Sequence, residues 1–423
     1  MLFSSSKKAM LIGISGTALQ WYDFAIFGYF APIIAATYFP NDNAIASLLH
    51  VFGVFAVGYL LAPIGAMVFG YIGDHYGRKR ALMLSIFSMA IATAMIGILP
   101  GFKTIGIAAP ILITLLRIAQ GFVASSEFTG SAIFLVEHAR PEQKAFYGSL
   151  TSAAYSTGVI FAGLAAALFT ASFMPDWAWR LPFMLALIVG MIIFHLRRKI
   201  SETPVYQTIQ PHDKPKFPFL TALKEVPHAV VGVIGLACLV GMLTFGTYVF
   251  TASYLHTYFN ISLSTATLII TLSLAVDAIL EPFMGIFADK VGHLRVLIIG
   301  MLLVLLLSLP IFNLLASGQT VLITCGMMLM SVLIATAFAP INAYMISLFP
   351  KHCRYSGFGV SFHVGISLFG GTTPLVLMWL VNKTGDFTAP AYYYMLGALI
   401  GLLSLFICER GRRRILDAAL SPA

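Results

Sequence analysis

The first candidates for chemistry in this chain are charged side chains inside long apolar segments. The segment over residues 107–136 contains Arg117, Gln120 and Glu127. On an α-helix these side chains share one broad face, with Arg117 about 15 Å from Glu127 along the axis, too far for a direct ion pair. Each charge needs another partner, because a charge at the centre of a bilayer-spanning helix costs at least about 2.5–3.5 kcal/mol unless it is paired or hydrated.

Asp23 is the natural partner for one of these charges. It lies about halfway along the first apolar segment, with Gln20 one turn earlier on the same face. A buried carboxylate without a permanent counter-charge can bind and release a proton. We therefore take Asp23 and Glu127 as candidate proton sites, with a purely structural hydrogen bond at Asp23 as the alternative.

Arg117 is the candidate for holding an anionic group, most simply a substrate carboxylate, by charge-assisted hydrogen bonds. Other polar side chains in apolar segments are candidates for contacting the substrate, although such residues often only bond to a neighbouring helix. They are Gln20, Tyr22, Gln120, Tyr248, Asn342 and His363.

A second acidic pair, Asp277 and Glu281, has i,i+4 spacing and shares one helical face. This spacing is compatible with two roles: a second proton site, for which Asp277 is the candidate, or a latch to the basic loops, for which Glu281 is the candidate. For Glu281 a local hydrogen bond beside Pro282 is a further alternative.

A motif of glycine, aspartate and basic residues occurs twice between apolar segments. The first copy is Gly70-Tyr-Ile-Gly-Asp74-His-Tyr-Gly77-Arg78-Lys79-Arg80, and the second is Gly285-Ile-Phe-Ala-Asp289-Lys-Val-Gly292-His-Leu-Arg295. Each aspartate lies near the C-terminal end of its helix, where the macrodipole disfavours an anion. We expect each to pair with a basic side chain or with the N-terminus of another helix, near Gly357 for Asp74 and near Gly148 for Asp289. The predicted gating residues are Gly70, Asp74, Gly77, Arg78, Lys79, Glu281, Asp289 and Arg295.

The composition predicts a polytopic helical membrane protein, since 59% of the 423 residues are hydrophobic and only 10% are charged. Twelve segments are long enough to cross about 30 Å of hydrocarbon. They cover residues 10–36, 47–73, 80–99, 107–136, 148–173, 180–197, 228–257, 263–289, 294–315, 320–348, 356–381 and 390–408. Gly370, Gly371 and Pro374 are expected to permit bending or close packing of the eleventh segment.

The basic residues indicate the topology. Of the 25 lysines and arginines, all but Lys103, Arg117, Arg180 and Lys383 fall at the N-terminus, in the even-numbered loops or at the C-terminus. This asymmetry predicts cytoplasmic termini and explains the net charge of +9 without nucleic acid. The four cysteines have no metal-binding or disulfide spacing, so we expect no metal and no cofactor.

The repeated motif resembles the loop between helices 2 and 3 of the major facilitator superfamily and its counterpart between helices 8 and 9. Further motifs are similar to the metabolite:H⁺ symporters, which include proline/betaine, shikimate, citrate and 2-oxoglutarate carriers. They are Trp21-Tyr22-Asp23-Phe24, Arg117-Ile-Ala-Gln120-Gly121 with Glu127, Trp179-Arg180-Leu-Pro182-Phe183 and Glu202-Thr203-Pro204. The family pattern differs at Gln20, often glutamate, and at Ser125-Ser126, usually a glycine pair.

The resemblance implies an all-α fold of twelve transmembrane helices in two pseudo-symmetric six-helix bundles. We expect bundles at 1–197 and 228–423, joined by a cytoplasmic linker at 198–227. The implied protein is a monomeric secondary transporter in a bacterial-type cytoplasmic (inner) membrane, and not an enzyme.

The predicted function is proton-coupled import of a small carboxylate-bearing solute. Acidic residues outnumber Arg117 in the apolar segments, which favours a zwitterion such as proline or betaine over an organic acid. The alternative is a proton-coupled efflux antiporter of the same fold, although the fifth segment lacks the glycine-and-proline motif typical of exporters. A membrane enzyme or a sensor is a third class, but no nucleophile–base pair, metal cluster or signalling domain supports it.

Overall fold

The computed structural model describes residues 5–40, 50–51, 53–54, 57–171 and 173–420. Within these ranges the regular structure is entirely helical. The N-terminal helices are α1 (Ser5–Tyr29), α2 (Ala31–Tyr38), α3 (Ala62–His75), α4 (Arg78–Ile98), α5 (Ala108–His138), α6 (Lys144–Phe169) and α7 (Leu181–Arg198). The described residues between 50 and 60 are also helical.

The remaining helices follow a connecting segment. They are α8 (Pro218–Glu225), α9 (Pro227–Phe245), α10 (Thr251–Phe259), α11 (Leu263–Val291), α12 (His293–Leu315), α13 (Thr320–Phe338), α14 (Ile341–Ser347), α15 (Arg354–Phe369), α16 (Thr373–Thr384) and α17 (Pro390–Leu420). Short helical turns lie at Phe102–Ile105, Pro141–Gln143, Ala178–Arg180, Pro204–Gln207 and Pro211–Asp213.

The described residues contain 10 helical segments long and apolar enough to cross a membrane. They correspond to the third to twelfth predicted spans. The first predicted span, 10–36, is divided into α1 and α2 at Phe30, just before Pro32. The second, 47–73, falls partly outside the described residues and ends in α3.

The chain forms two compact units. The first comprises Met1–His138 and Ala154–Thr208, and the second comprises Ala139–Ala153 and Ile209–Ala423. In the first unit, α4 packs against α5 and α7, α1 packs against the same two helices, and α3 packs against α5. In the second, α9 packs against α15 and α17, and α12 against α13 and α17. The change from one unit to the other after Thr208 lies within the predicted linker.

Several spans are interrupted. The helix is interrupted at Gly370 and Gly371, where bending or close packing is expected, because α15 ends at Phe369 and α16 begins at Thr373. Between α9 and α10 the chain forms a π-helix at Gly246–Phe250, a wider turn that is frequent at functional sites. These breaks fit apolar spans in which neighbouring helices can satisfy the freed backbone groups.

Glycines let the backbones of α3, α5 and the helical residues before α3 approach closely. A Cβ on Gly65 would collide with the Phe122 carbonyl, and a Cβ on Gly121 would collide with the backbone of Gly58. Small residues at such contacts are the usual way in which membrane helices pack closely.

Gly121→Ala should therefore destabilise the first unit, because the added methyl group meets backbone, which cannot rotate out of the way. We expect a cost of about 1–3 kcal/mol, measured as a lower thermal unfolding midpoint of the detergent-solubilised protein. Gly28→Ala is the matched control, since a Cβ there would meet no described atom within 4 Å. Equal midpoints for the two variants would contradict the close packing.

Candidate functional site

Asp23 lies at the centre of a polar cluster in the first unit. Its side chain is fully buried on α1, and its Oδ2 accepts a 2.8 Å hydrogen bond from Thr93 Oγ1 on α4. Its other oxygen, Oδ1, has no hydrogen-bond partner among the described residues. The carboxylate is thus held by one neutral donor and keeps one acceptor atom available.

Arg117 is joined to Asp23 through two neutral side chains. Its Nη1 donates to Gln120 Oε1 at 2.9 Å, and Gln120 Nε2 donates to Thr93 Oγ1 at 2.7 Å. The hydrogen bonds therefore run in one direction, from the guanidinium to the carboxylate, and join α5, α4 and α1. Asp23 is expected from the sequence to pair with one of the α5 charges. In the structure it is joined to Arg117 through this chain of hydrogen bonds, which we call the relay.

Aromatic rings cover the Arg117 guanidinium. Its Cζ lies 4.4 Å from the centroid of the Phe24 ring and 4.3 Å from that of Phe27. The negative faces of these rings stabilise the cation. The ring contacts and the relay together hold a positive charge inside an apolar helix bundle.

Glu127 has a direct counter-charge, which the sequence analysis did not foresee. Arg197 Nη1 donates to Glu127 Oε2 at 2.9 Å, and Arg197 Nη2 contacts Oε1. Ser85 and Ser131 also donate to the carboxylate, at 2.7 and 3.2 Å. A Cβ on Gly16 would collide with this pair, so α1 closes directly over it.

The residues missed by the sequence analysis are Thr93, Arg197, Ser85 and Ser131. Thr93 stands in the apolar run Ala92-Thr93-Ala94, and Arg197 at the end of α7 resembles an ordinary cytoplasmic charge. Their importance comes from the helices that face them, because the buried charges of α5 need partners. The sequence therefore indicated that Arg117 and Glu127 require partners, but it did not identify those partners.

Two further candidates on α1 contact backbone in the first unit. Gln20 Nε2 donates to Ala124 O at 3.0 Å, and Tyr22 Oη donates to Pro182 O at 3.2 Å. Gln20 Oε1, like Asp23 Oδ1, is a buried acceptor with no partner in the described parts of the chain. Tyr22 is thereby tied to α7, whereas Gln20 keeps an acceptor close to Asp23.

The acidic pair of the second unit is buried on α11. Asp277 and Glu281 are 2% and 1% exposed, and each is the other's electrostatic neighbour at i,i+4 spacing. Above them Ser273 exchanges a 2.6 Å hydrogen bond with Ser331. Two carboxylates this close repel each other unless a proton or another cation is shared between them.

The other candidates of the second unit are buried, each in its own surroundings. Tyr248 lies within the π-helix. Asn342 Nδ2 donates to Gly148 O and Ser152 Oγ at 3.2 and 3.3 Å. His363 Nδ1 lies 2.9 Å from Gly359 O of its own helix.

The first copy of the repeated motif is an ion-pair cluster in the first unit. Arg78 lies 3.2 Å from Asp74 and 3.5 Å from Glu137, and it donates to Gly73 O at 2.7 Å. The expectation for Asp74 named a basic side chain or a helix N-terminus, and Arg78 is such a side chain. Gly77, at φ 110°, makes the turn that places Arg78.

The start of the predicted linker binds to this cluster. Thr203 Oγ1 donates to Glu137 Oε2 at 2.6 Å, and the backbone N–H of Lys79 donates to Glu202 Oε2 at 3.1 Å. A carboxylate at the first turn of α4 is favourable because the helix N-terminus is positive. A Cβ on Gly77 would collide with this Glu202 carboxylate.

The second copy makes the contact that was predicted for it. The Asp289 carboxylate accepts hydrogen bonds from the N–H groups of Ala145 and Phe146 at 2.8 and 2.9 Å, in the first turn of α6. His293 Nε2 lies 3.0 Å from the same carboxylate. Arg295 contacts Val291 O of its own segment at 3.4 Å.

Comparisons with known proteins agree with this architecture. The sequence matches the model of the Major Facilitator Superfamily over residues 13–360 and 233–419. A Staphylococcus haemolyticus protein named as a candidate proline/betaine transporter is 34% identical over 95% of this chain and 87% of its own length. The proline/betaine transporter of Escherichia coli K12 is 30% identical over 99% of this chain and 86% of its own length.

Solved structures show the same fold at low sequence identity. The proton:xylose symporter XylE superposes with a TM-score of 0.76 at 15% identity, covering 96% of both chains. The transporter FucP in the outward conformation superposes with a TM-score of 0.71 at 17% identity, covering 96% of this chain and 99% of FucP. The predicted all-α fold of twelve membrane helices is confirmed, and this chain, a transporter and not an enzyme, belongs to the major facilitator superfamily.

Proposed function

We propose that this transporter imports a small carboxylate-bearing solute together with protons, and that the solute is a zwitterion such as an amino acid or betaine. Organic acids are the second class of substrate. The observation that carries the proposal is the relay from Arg117 to Asp23. The names of the relatives, which are proline/betaine transporters, support a zwitterion.

Charge compensation at Arg117 supplies the coupling mechanism. An ionised Asp23 is an electrostatic neighbour of the buried guanidinium and offsets its charge. When Asp23 binds a proton, this compensation is lost, and a substrate carboxylate can replace it through charge-assisted, two-pronged hydrogen bonds to Arg117. Proton binding thus raises the affinity for the carboxylate, and linkage requires the bound carboxylate to raise the affinity for the proton equally.

A zwitterion also carries a positive group, for which α1 offers two buried acceptors. Asp23 Oδ1 and Gln20 Oε1 lie one turn apart, and neither has a partner in the described part of the chain. Both oxygens can accept a hydrogen bond from a proton donor or an ammonium group. This favours Asp23 and Gln20 as contacts to the cationic end of the solute and to the proton.

Among the candidate proton sites, the contacts favour Asp23 over Glu127. Glu127 is in direct contact with the permanent positive charge of Arg197, whereas Asp23 is hydrogen-bonded by a neutral threonine. Asp277 is the candidate second proton site, since Glu281 beside it favours a shared proton. Tyr248, Asn342 and His363 are proposed substrate contacts from the second unit.

We propose a monomer in a bacterial-type cytoplasmic membrane, with both termini in the cytoplasm, as the positions of the basic residues indicate. Asp74 and Asp289 act as cytoplasmic latches that favour the outward-open state, with the other gating residues of the repeated motif supporting them. Glu281 belongs to the same gating group.

Asp23→Asn should abolish accumulation driven by a pH gradient. The amide can still accept the hydrogen bond from Thr93, but it cannot bind and release a proton. We expect substrate exchange across the membrane to continue while net accumulation is lost, measured with labelled proline and glycine betaine in proteoliposomes. Uptake of labelled citrate and 2-oxoglutarate tests the organic-acid alternative. The direction of proton movement distinguishes import by symport from efflux by antiport: protons enter the lumen with the substrate in symport and leave it in antiport.

Glu127→Gln is the matched comparison, because it neutralises the other buried carboxylate of the first unit. It leaves Arg197 uncompensated, so we expect a loss of stability of about 3–5 kcal/mol, and Glu127→Gln combined with Arg197→Gln should recover the folded yield. Accumulation should remain coupled to the pH gradient in the double variant. If coupling instead survives in Asp23→Asn and is lost in the double variant, Glu127 is the coupling site.

Arg117→Lys should weaken substrate binding by about tenfold or more. The ammonium keeps the positive charge but lacks the planar fork that engages a carboxylate with two parallel hydrogen bonds. The measurement is the apparent affinity in exchange, where proton-driven accumulation is not required. An unchanged affinity would make Arg117 a structural partner of Asp23 only.

Asp289→Asn should loosen the contact with the first turn of α6. A carboxylate at a helix N-terminus contributes about 0.3–2 kcal/mol, which corresponds to a shift of about two- to thirty-fold between two states. We expect faster labelling of a reporter introduced as Ser152→Cys in a background without other cysteines, together with slower transport. Asp74→Asn should act in the same direction, while Asp213→Asn, in an exposed turn, is the control. Labelling and transport equal to the control would contradict the latch.

A further inference from the structure

The end of α8 and the loop before α15 carry three neighbouring side chains that can bind a metal ion. Glu225 is the last residue of α8, and His352 and Cys353 directly precede α15. Their ligand atoms all lie within 4.8 Å of one another, and His352 Nε2 is 3.0 Å from Glu225 Oε2. We propose that Glu225, His352 and Cys353 form a binding site for a thiophilic divalent cation, with Zn²⁺ as the fitting ion.

The donor set selects the class of ion. A thiolate, an imidazole and a carboxylate are typical ligands of zinc, whereas magnesium and calcium prefer oxygen ligands alone. In a tetrahedral zinc site, ligand atoms about 2.0–2.3 Å from the ion lie about 3.3–3.7 Å apart. Small side-chain rotations therefore bring the three atoms into position, and the fourth position is left for water.

Exposure and charge also fit a cation. The Glu225 side chain is 46% exposed and the His352 side chain 24% exposed, so an ion can enter from solvent, while Cys353 closes the site from the buried side. A thiolate and a carboxylate together neutralise a divalent ion. The nearby Arg354 donates its Nε to Phe349 O at 3.2 Å.

Sequence spacing could not reveal this site. His352 and Cys353 are adjacent, but Glu225 is far from them in the chain, in the predicted linker. The fold brings them together because α8 packs against α15, where Ala222 faces Gly357. The earlier expectation of no metal was based on cysteine spacing alone.

Metal binding would tie the linker helix to the start of α15. The side-chain contact between Glu225 and His352 at the surface adds to the packing of α8 against α15. An ion held by all three side chains would replace it with bonds to both segments. The site is independent of the substrate and of the relay in the first unit.

Proton linkage gives the site a defined pH dependence. The ion requires a deprotonated Cys353 and a neutral His352, so binding releases protons. Affinity should therefore rise with pH and fall as the solution is acidified.

The test uses Co²⁺ as a spectroscopic probe for Zn²⁺ on the full-length protein, purified in detergent with its affinity tag removed. We expect one equivalent of Co²⁺ to bind with a thiolate-to-metal charge-transfer band, and Zn²⁺ to displace it. Cys353→Ser should remove the band, and His352→Ala should weaken Zn²⁺ binding at least tenfold. Cys325→Ser, which alters an exposed cysteine on α13, is the matched control and should keep the band.

Because Cys353 is buried, its substitution could disturb folding, so Glu225→Gln at the exposed edge provides a second test. This variant should fold normally and bind Zn²⁺ more weakly. Zn²⁺ should also raise the thermal unfolding midpoint of the wild type more than that of Glu225→Gln. Absence of a charge-transfer band in the wild type, or its persistence in a folded Cys353→Ser protein, would overturn the proposal, as would equal Zn²⁺ affinity in Glu225→Gln.

Discussion

The buried positive charge of Arg117 must be compensated within the first unit. It is held inside an apolar bundle, where an uncompensated charge is costly. Its compensation is distributed over the Phe24 and Phe27 rings and over the relay to Asp23. In the relay each neutral side chain accepts from the cationic side and donates to the anionic side, so the dipoles add along the chain. The relay also fixes the register of α1, α4 and α5.

The buried charges of Glu127 and Arg197 are compensated by direct contact with each other and not through neutral side chains. The two charges are in direct contact, and serines occupy further acceptor positions of the carboxylate. Removing one member of such a buried pair leaves an unpaired charge. A group that must change its charge during each transport cycle is better placed beside neutral partners. This contrast is the physical reason why we propose Asp23, rather than Glu127, as the proton site.

The sequence was sufficient to predict the fold class and most of the spans, because long apolar segments and the distribution of basic residues have a direct physical meaning. The contact of Asp289 with the first turn of α6 was predictable from the helix dipole alone. The partner of Glu127 was not, because Arg197 at a span end looks like a topological signal. Arg180 differs from Arg197 because its position does not fit the distribution of basic residues over the cytoplasmic loops. It donates hydrogen bonds to the carbonyls of Gly97 and Leu99 at the end of α4.

The predicted linker, residues 198–227, is hydrogen-bonded near both of its ends. Thr203 bonds to Glu137 of the first unit, whereas Glu225 contacts His352 of the second. Both anchors involve charged or polar groups near helix ends. The exchange from one unit to the other after Thr208 lies between these two anchors. A cation at Glu225 would act on the anchor of the second unit without touching the relay.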